Sequence, residues 1–386
     1  VDRYYLDYNA TSPLSQSVSD WLKSGEVIFA NPSSQHSLGK ASRKSINEAR
    51  AFIYKCFGQT ETQTHLMFHS GATEAFSAFA HSFSEWARLQ GKDLLICYSR
   101  LDHPAVTSLG ERYFGPQVKT YELKLSGLEY DHQANFEFLK DKKDNNPELI
   151  ILYHHLWVHN ETGGVSPLEE LAHFKTIPDL YLHIDAVQAP GKILNWDKLV
   201  VGDIFTFSAH KFGALKGVGF SFFSRTIPFH PFISGGGQQA GLRSGTENPM
   251  GIQSVRLALE DLTKIDMTRL KHHREELEVH LSQYLKGAGE IISTRCKHRN
   301  VNTIYFYLTQ LSSDVALALF DLNGLMVSAG SACSSGAAKP SALMTHLGYK
   351  SEAKNGLRLS LGFHSSAADI QSISEKLKFV LGKVVS

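Results

Sequence analysis

Four short stretches of this 386-residue chain carry side chains whose types and spacing suit covalent chemistry on a bound small molecule. "TFSAHKFGALKGVGF" (206–220) begins as a strand, passes through Ser208, His210 and Lys211, and turns through Gly213. A lysine just past the C-terminal end of a buried strand stands where open α/β sheets hold ligands. "HIDAVQAPGK" (183–192) ends another strand on Asp185 and puts Gln188 three residues on. "HSGATEAF" (69–76) sets Ser70, Gly71, Ala72 and Thr73 at a helix N-terminus, whose backbone N–H groups and dipole favour a phosphate. The fourth stretch, "SAGSACSSG" (328–336), holds Cys333 among residues with almost no side chain. A structural cysteine packs as a small hydrophobe, and nothing near Cys333 could form that packing. Gly, Ala and Ser make instead a tether that lets a thiol travel.

Each feature alone has an ordinary explanation: a surface lysine, an N-capping Asp, any helix start. As a set they supply an amine to form an imine, a carboxylate to hold a protonated ring nitrogen, and an anion cradle. Pyridoxal phosphate has these requirements, acting as an electron sink through a lysine Schiff base with an acidic partner at the pyridine nitrogen.

Composition narrows the classes. Hydrophobic residues are 42% and charged residues 20%, as in ordinary globular proteins, and the length suits two domains. Lys+Arg total 39 against Asp+Glu 38, so no charge imbalance points to nucleic acid or an anionic membrane. No apolar run approaches a membrane span, and "VDRYYLDYNATSP" lacks the basic and apolar regions of a secretory signal. The four cysteines (Cys56, Cys97, Cys296, Cys333) form no C-x-x-C pair, which suits a reducing, cytoplasmic setting. Cys56 and Cys97 read as core, whereas Cys296 in "STRCKHRN" competes with Cys333 as a reactive thiol. "HHLWVHNE" (His154, His155, His159) lacks a helical i, i+4 pair with a third ligand, so no metal is expected.

The elements that must position these residues follow from the apolar pattern. Bursts at 94–99, 149–155, 180–185, 203–209 and 217–223 fit strands buried on both faces of a mostly parallel sheet. "TEAFSAFAHSFSEWARLQG" reads as a helix closed by Gly91, with Phe76, Phe79, Ala80 and Phe83 on one face. Asn248 and Pro249 open one long helical stretch to about Leu285, the expected bridge to a smaller α+β unit. That unit holds strands at 303–308, near Leu325 and at 357–361, a helix at Asp314–Leu322 and a closing helix at Ala367–Val384.

The motifs "LDYNATSP", "NPSSQHSLGKASR", "SGATEA", "DHPAV", "HNETGGV", "HIDAVQAPGK", "SAHK", "GGGQQAGLRSGTEN" and "SAGSACSSG" occur here in the order found in cysteine desulfurases. From about residue 4 to 362 the chain resembles these pyridoxal-phosphate enzymes of the class V aminotransferase family, in the group with a long cysteine loop. The resemblance implies an α/β protein of the PLP-dependent transferase fold type I. It would have a large domain (12–255) with a mostly parallel seven-stranded sheet and a smaller α+β domain (1–11 and 256–386). Lys211 would hold the cofactor and shuttle protons, Asp185 would pair with the ring nitrogen, and Gln188 with the phenolic oxygen. His103 would stack on the ring and assist acid–base steps. Ala72, Thr73, Ser208 and His210 would hold the phosphate, and Thr246 would reach the phosphate of a second subunit in a homodimer. Asn160 and Arg358 would grip the substrate carboxylate.

The residues leave plainer readings open beside these. His103 before Pro104 could only cap a helix, Arg358 could be a solvated face residue, and Asn160 a turn residue. The activity implied is conversion of L-cysteine to L-alanine with a persulfide on Cys333, passed to a sulfur-acceptor protein for iron–sulfur clusters, thio-cofactors or tRNA thiolation. A selenocysteine lyase or other class V aminotransferase, or a catalytically silent partner protein, are the alternatives. Three departures from the family pattern stand out. "FGALKG" has Ala214 and Leu215 where Gly-Pro is usual, "YHHLWVHNETGG" is bulky ahead of Asn160, and the chain ends soon after its last helix, which puts a scaffold partner in doubt.

Overall fold

The computed structural model describes residues 2–111, 114–329 and 340–385. Its largest sheet has seven strands in the spatial order Thr64–His69, Gly219–Ser224, Ile204–Ser208, Leu180–Asp185, Ile150–Leu156, Leu94–Tyr98, Val118–Glu122. Pairing is parallel except at Gly219–Ser224, which runs antiparallel to both neighbours. All five apolar bursts are strands, and they occupy the interior of the sheet. The two strands not read from sequence, Thr64–His69 and Val118–Glu122, are its edges. An edge strand has less surface to bury, and "VKTYE" carries too little apolar side chain to stand out from a loop.

Helices cover both faces, as buried parallel strands require. Ala72–Gln90 ends on Gly91 in the left-handed conformation (φ 64°) and buries Phe76, Phe79, Ala80 and Phe83, the face expected from its spacing. On the opposite face Phe57, just after helix Ser37–Cys56, packs on Phe207 with ring centroids 4.9 Å apart, and Phe207 stacks on Phe220 at 4.7 Å. A second sheet, three-stranded and antiparallel, joins Gly289–Ile291, Thr303–Leu308 and Gly356–Ser360. Helices Met267–Leu285 and Ala367–Val385 pack together beside it. Leu325–Met326 pairs in parallel with Tyr4–Tyr5, and from there the N-terminal segment runs on to the large sheet. Among the described residues no helix is long and apolar enough to cross a membrane.

The single long helix expected after Asn248 is two helices, Pro249–Leu262 and Met267–Leu285. Asn248 caps the first, accepting from the Gly251 amide at 2.9 Å. The break falls where Asp266 offers its carboxylate to the amides of Thr268 (3.0 Å) and Arg269 (3.1 Å). A side-chain acceptor that satisfies two orphan donors favours starting a new helix over continuing the old one. Replacing Asp266 by Ala is expected to lower stability by about 1 kcal/mol, measured by denaturant unfolding, with near-native cofactor binding retained.

Candidate active site

The parallel strands end together: Leu156 lies opposite Asp185, and Asp185 opposite Thr206. Over this edge opens a cavity of about 1010 Å³. Lys211 enters it from the turn Ala209–Phe212 that follows strand Ile204–Ser208. Gly213 closes the turn at φ 97°, where a Cβ would also meet the Ser15 backbone nitrogen at 2.9 Å. The unusual Ala214 and Leu215 fit this turn. Ala214 is buried and donates to the Ala209 carbonyl at 3.2 Å, and the Leu215 amide donates to Ser254 Oγ at 3.1 Å. The Lys211 Nζ donates to the carbonyls of Asn9 (2.9 Å) and Ala10 (2.8 Å).

Asp185 ends its strand buried, accepting from the Val187 amide at 3.0 Å. Burial pushes its carboxyl up to about 6, against the opposing effects of that hydrogen bond and of Lys211. A ring cation placed against it would remove the desolvation penalty, so the group fits a protonated pyridine nitrogen. Gln188, also buried, lines the cavity and donates from Nε2 to the Asn9 carbonyl at 2.8 Å.

The anion cradle is the start of helix Ala72–Gln90. Among the described residues the backbone N–H groups of Ala72 and Thr73 have no acceptor, as expected of a first helical turn, and both residues line the cavity. Glu74 reaches back to the Ser70 amide at 2.8 Å, and Arg243 at 2.9 Å balances its charge beside the cradle. Ser208 stands alongside, its Oγ 3.7 Å from where a Cβ on Gly71 would sit. His210 joins through Thr11, with Nδ1 and Oγ1 3.1 Å apart, and burial with Lys211, Lys192 and Lys216 nearby lowers its pKa to about 4. Donors, amine and carboxylate thus suit the phosphate, aldehyde and ring nitrogen of pyridoxal phosphate.

His103 both caps and lines. Its Nδ1 accepts from the Ala105 amide at 3.1 Å at the start of Pro104–Thr107, and its ring borders the cavity. Burial, then Lys211, holds its pKa below the ordinary value, so the neutral ring carries its proton on Nε2. Arg358 is no solvated face residue, being 2% exposed. Its Nη2 meets Asp7 at 2.6 Å and its Nη1 donates to the Asn160 carbonyl at 3.0 Å, while both Arg358 and Asn160 line the cavity. Trp157, part of the bulk ahead of Asn160, packs into the core near Phe205; Leu156 and His159 face the cavity.

Two expected site residues are not in this assembly. Thr246 is exposed and away from the cavity lining of its own chain, and Cys333 lies outside the described residues. The residues flanking the latter do reach the site: Ser328 pairs with Arg358 through two backbone hydrogen bonds, and Pro340 lines the cavity. The competing Cys296 is buried against Gly164, and burial pushes its thiol up. Cys97 is core as expected, whereas Cys56 is only half-buried.

Sequence reasoning gave no role to Asn9, Asp7 or Lys192. The first two lie in "LDYNATSP" and the third ends "HIDAVQAPGK", so quoted motifs held all three without showing that they meet.

An α/β sheet with a lysine, a buried aspartate and a helix N-terminus along one edge defines a pyridoxal-phosphate enzyme of fold type I. The class-V aminotransferase family model matches residues 4–373, and the chain belongs to that family, whose members use this cofactor. It is 32% identical to the cysteine desulfurase IscS of Dictyoglomus turgidum, over 98% of this chain and 95% of that one. Among solved structures it resembles a NifS-like protein, with TM-score 0.84, 24% identity and coverage of 99% of this chain and 100% of that one. It also resembles SspA in complex with cysteine, with TM-score 0.73, 25% identity and coverage of 94% and 99%.

The raised carboxyl of Asp185 makes a stability prediction. Between its ordinary 3.8 and about 6, the folded cofactor-free protein holds a proton that the unfolded chain has lost. Stability therefore falls as pH rises through that window, and the penalty is complete above it. Asp185→Asn should stabilise the cofactor-free protein at pH about 8 by roughly 1–3 kcal/mol, a gain that fades towards pH about 4. Denaturant unfolding at a series of pH values measures it, and cofactor affinity should fall in the same variant.

Proposed function

We propose that this protein is an L-cysteine desulfurase that carries sulfur away as a persulfide on Cys333. The observation that carries the reading is the meeting at one cavity of Lys211, the Arg358–Asn160 pair and the residues flanking the Cys333 segment. The names of the relatives and the cysteine complex of SspA support the substrate.

Pyridoxal phosphate, held by Lys211, Asp185, Gln188, His103, Ala72, Thr73, Ser208 and His210, supplies the electron sink that stabilises negative charge at the substrate's Cα and Cβ. Arg358 and Asn160 hold the substrate carboxylate, a bidentate guanidinium being the strongest grip available for it. Lys211, once released, removes the Cα proton and returns protons to the substrate as general base and acid. The Cys333 thiolate attacks the substrate sulfur. A new S–S bond forms as the Cβ–S bond breaks, and the electron pair of the broken bond takes up a proton at Cβ. L-alanine leaves and Cys333 retains the sulfur as a persulfide, with no external oxidant or reductant. The thiol of an acceptor protein then takes the sulfur, for iron–sulfur clusters or another thio-product.

Exposed Thr246 would serve the phosphate of a second copy, so the working unit is a homodimer. A thiol that must stay reduced between turnovers suits a cytoplasmic setting.

Incubating the holoenzyme with L-cysteine should add about 32 Da to the Cys333 peptide by mass spectrometry. Cys333→Ala should cut alanine release by about 100-fold or more while the cofactor absorbance is kept. Undiminished alanine release from that variant would exclude the persulfide route.

A further inference from the structure

The proposed chemistry makes no use of Lys192, which is 0% exposed. Buried Lys143 has Asp179 at 2.8 Å, but among the described residues no carboxylate forms an ion pair with Lys192. Its Nζ donates to Gln188 Oε1, the one hydrogen-bond partner of that Nζ among the described residues. Burial, then Lys211 and Arg358, drive its pKa well below the ordinary value against the weaker pull of Asp7. A lysine in such surroundings is a neutral amine.

The amide of Gln188 can sit either way round, and its neighbours choose. The Asn9 carbonyl accepts only, so Nε2 must face it, at 2.8 Å. Oε1 then faces Lys192, whose amine is its one hydrogen-bond donor among the described residues. The reversed amide would set oxygen against oxygen at Asn9. With Oε1 turned to Lys192 and one Nε2 hydrogen given to Asn9, the second Nε2 hydrogen is the donor Gln188 has left for the cavity it lines.

We propose that Lys192 is a positioning residue, which together with the Asn9 carbonyl holds the Gln188 amide so that it presents a hydrogen-bond donor to the phenolic oxygen of the cofactor. This rests on the reading of the cavity as a pyridoxal-phosphate site. A neutral amine does this without adding a third charge beside Lys211 and Arg358. A donor to that oxygen stabilises its deprotonated form and lowers the pH at which the bound chromophore takes up its proton.

The test is a spectrophotometric pH titration of the holoenzyme, with four proteins compared: wild type, Lys192→Met, Gln188→Leu and the double variant. Lys192→Met should raise the midpoint by about half a unit or more, in the direction of Gln188→Leu, and the double variant should match Gln188→Leu alone. Lys192→Gln, which keeps a neutral donor, should restore the midpoint towards wild type. A Lys192→Met midpoint equal to wild type, or shifts that simply add, would overturn the proposal. Should Lys192→Met not fold, Lys192→Gln decides: a midpoint as high as that of Gln188→Leu overturns it, and one near wild type supports it. A wild-type chain that takes up no pyridoxal phosphate would overturn the site reading first, and this proposal with it.

Discussion

The backbone of residues 6–15 fixes where the Lys211 amine stands. On the small-sheet side the Leu6 amide donates to Met326 at 2.9 Å, and its carbonyl accepts from Ser360 at 2.7 Å. Three and four residues later the carbonyls of Asn9 and Ala10 receive the Lys211 amine, and the amides of Ser12 and Ser15 bond to His210 and Gly213, each at 2.9 Å. The Asn9 side chain binds Thr303 at 2.8 Å and the Asn160 carbonyl at 3.1 Å. Lys211 on the large sheet and Arg358 on the small one are therefore set relative to each other by one strap. A strap made of backbone suits such a site, because Leu6, Asn9, Ser12 and Ser15 are buried and each has a backbone bond to lose.

The same region gathers positive charge where solvent is scarce. Lys211, Arg358 and Lys192 lie close enough that each of the other two discourages a proton on Lys192. The protein limits the cost through Asp7 on Arg358, through carbonyls on Lys211, and by holding His103, His210 and Lys192 neutral. What remains is a site whose field favours anions, in keeping with the phosphate proposed at the helix start and the carboxylate proposed at the guanidinium. Asp185 runs against that trend, its carboxyl raised by burial, and is suited to a partner that brings its own positive charge.

Legibility in the sequence followed the physics of each signal. Interior strands and the Phe76–Phe83 face were readable because full burial leaves a dense apolar trace, while edge strands such as Val118–Glu122 were not. The break before Met267 turns on one Asp whose capping role competes with the surrounding helical pattern, so the pattern misled. Lys211, Asp185 and the Ala72–Thr73 turn were legible since their chemistry lies in residue type and strand-end position. The grip on Lys211 was hidden because its acceptors are carbonyls, which every residue has. Lys192 and Asp7 were hidden because only folding shows that one lysine forms no ion pair among the described residues and that one aspartate has found an arginine.

The proposed substrate grip and the two flanks of the Cys333 segment share their fastenings. Ser328, before the Cys333 segment, exchanges two backbone hydrogen bonds with Arg358, at 3.1 and 2.7 Å. After the segment, Ser341 caps Ala342–His346 and donates from Oγ to Glu161 at 3.3 Å, next to Asn160. One flank of that stretch is thus tied to Arg358 and the other to the chain neighbour of Asn160, Arg358 and Asn160 being the two residues proposed to hold the substrate carboxylate. A shift of Arg358 would therefore carry Ser328 with it, through the backbone bonds the two exchange. One strand, Gly356–Ser360, thus carries Arg358 and holds Ser328 beside it.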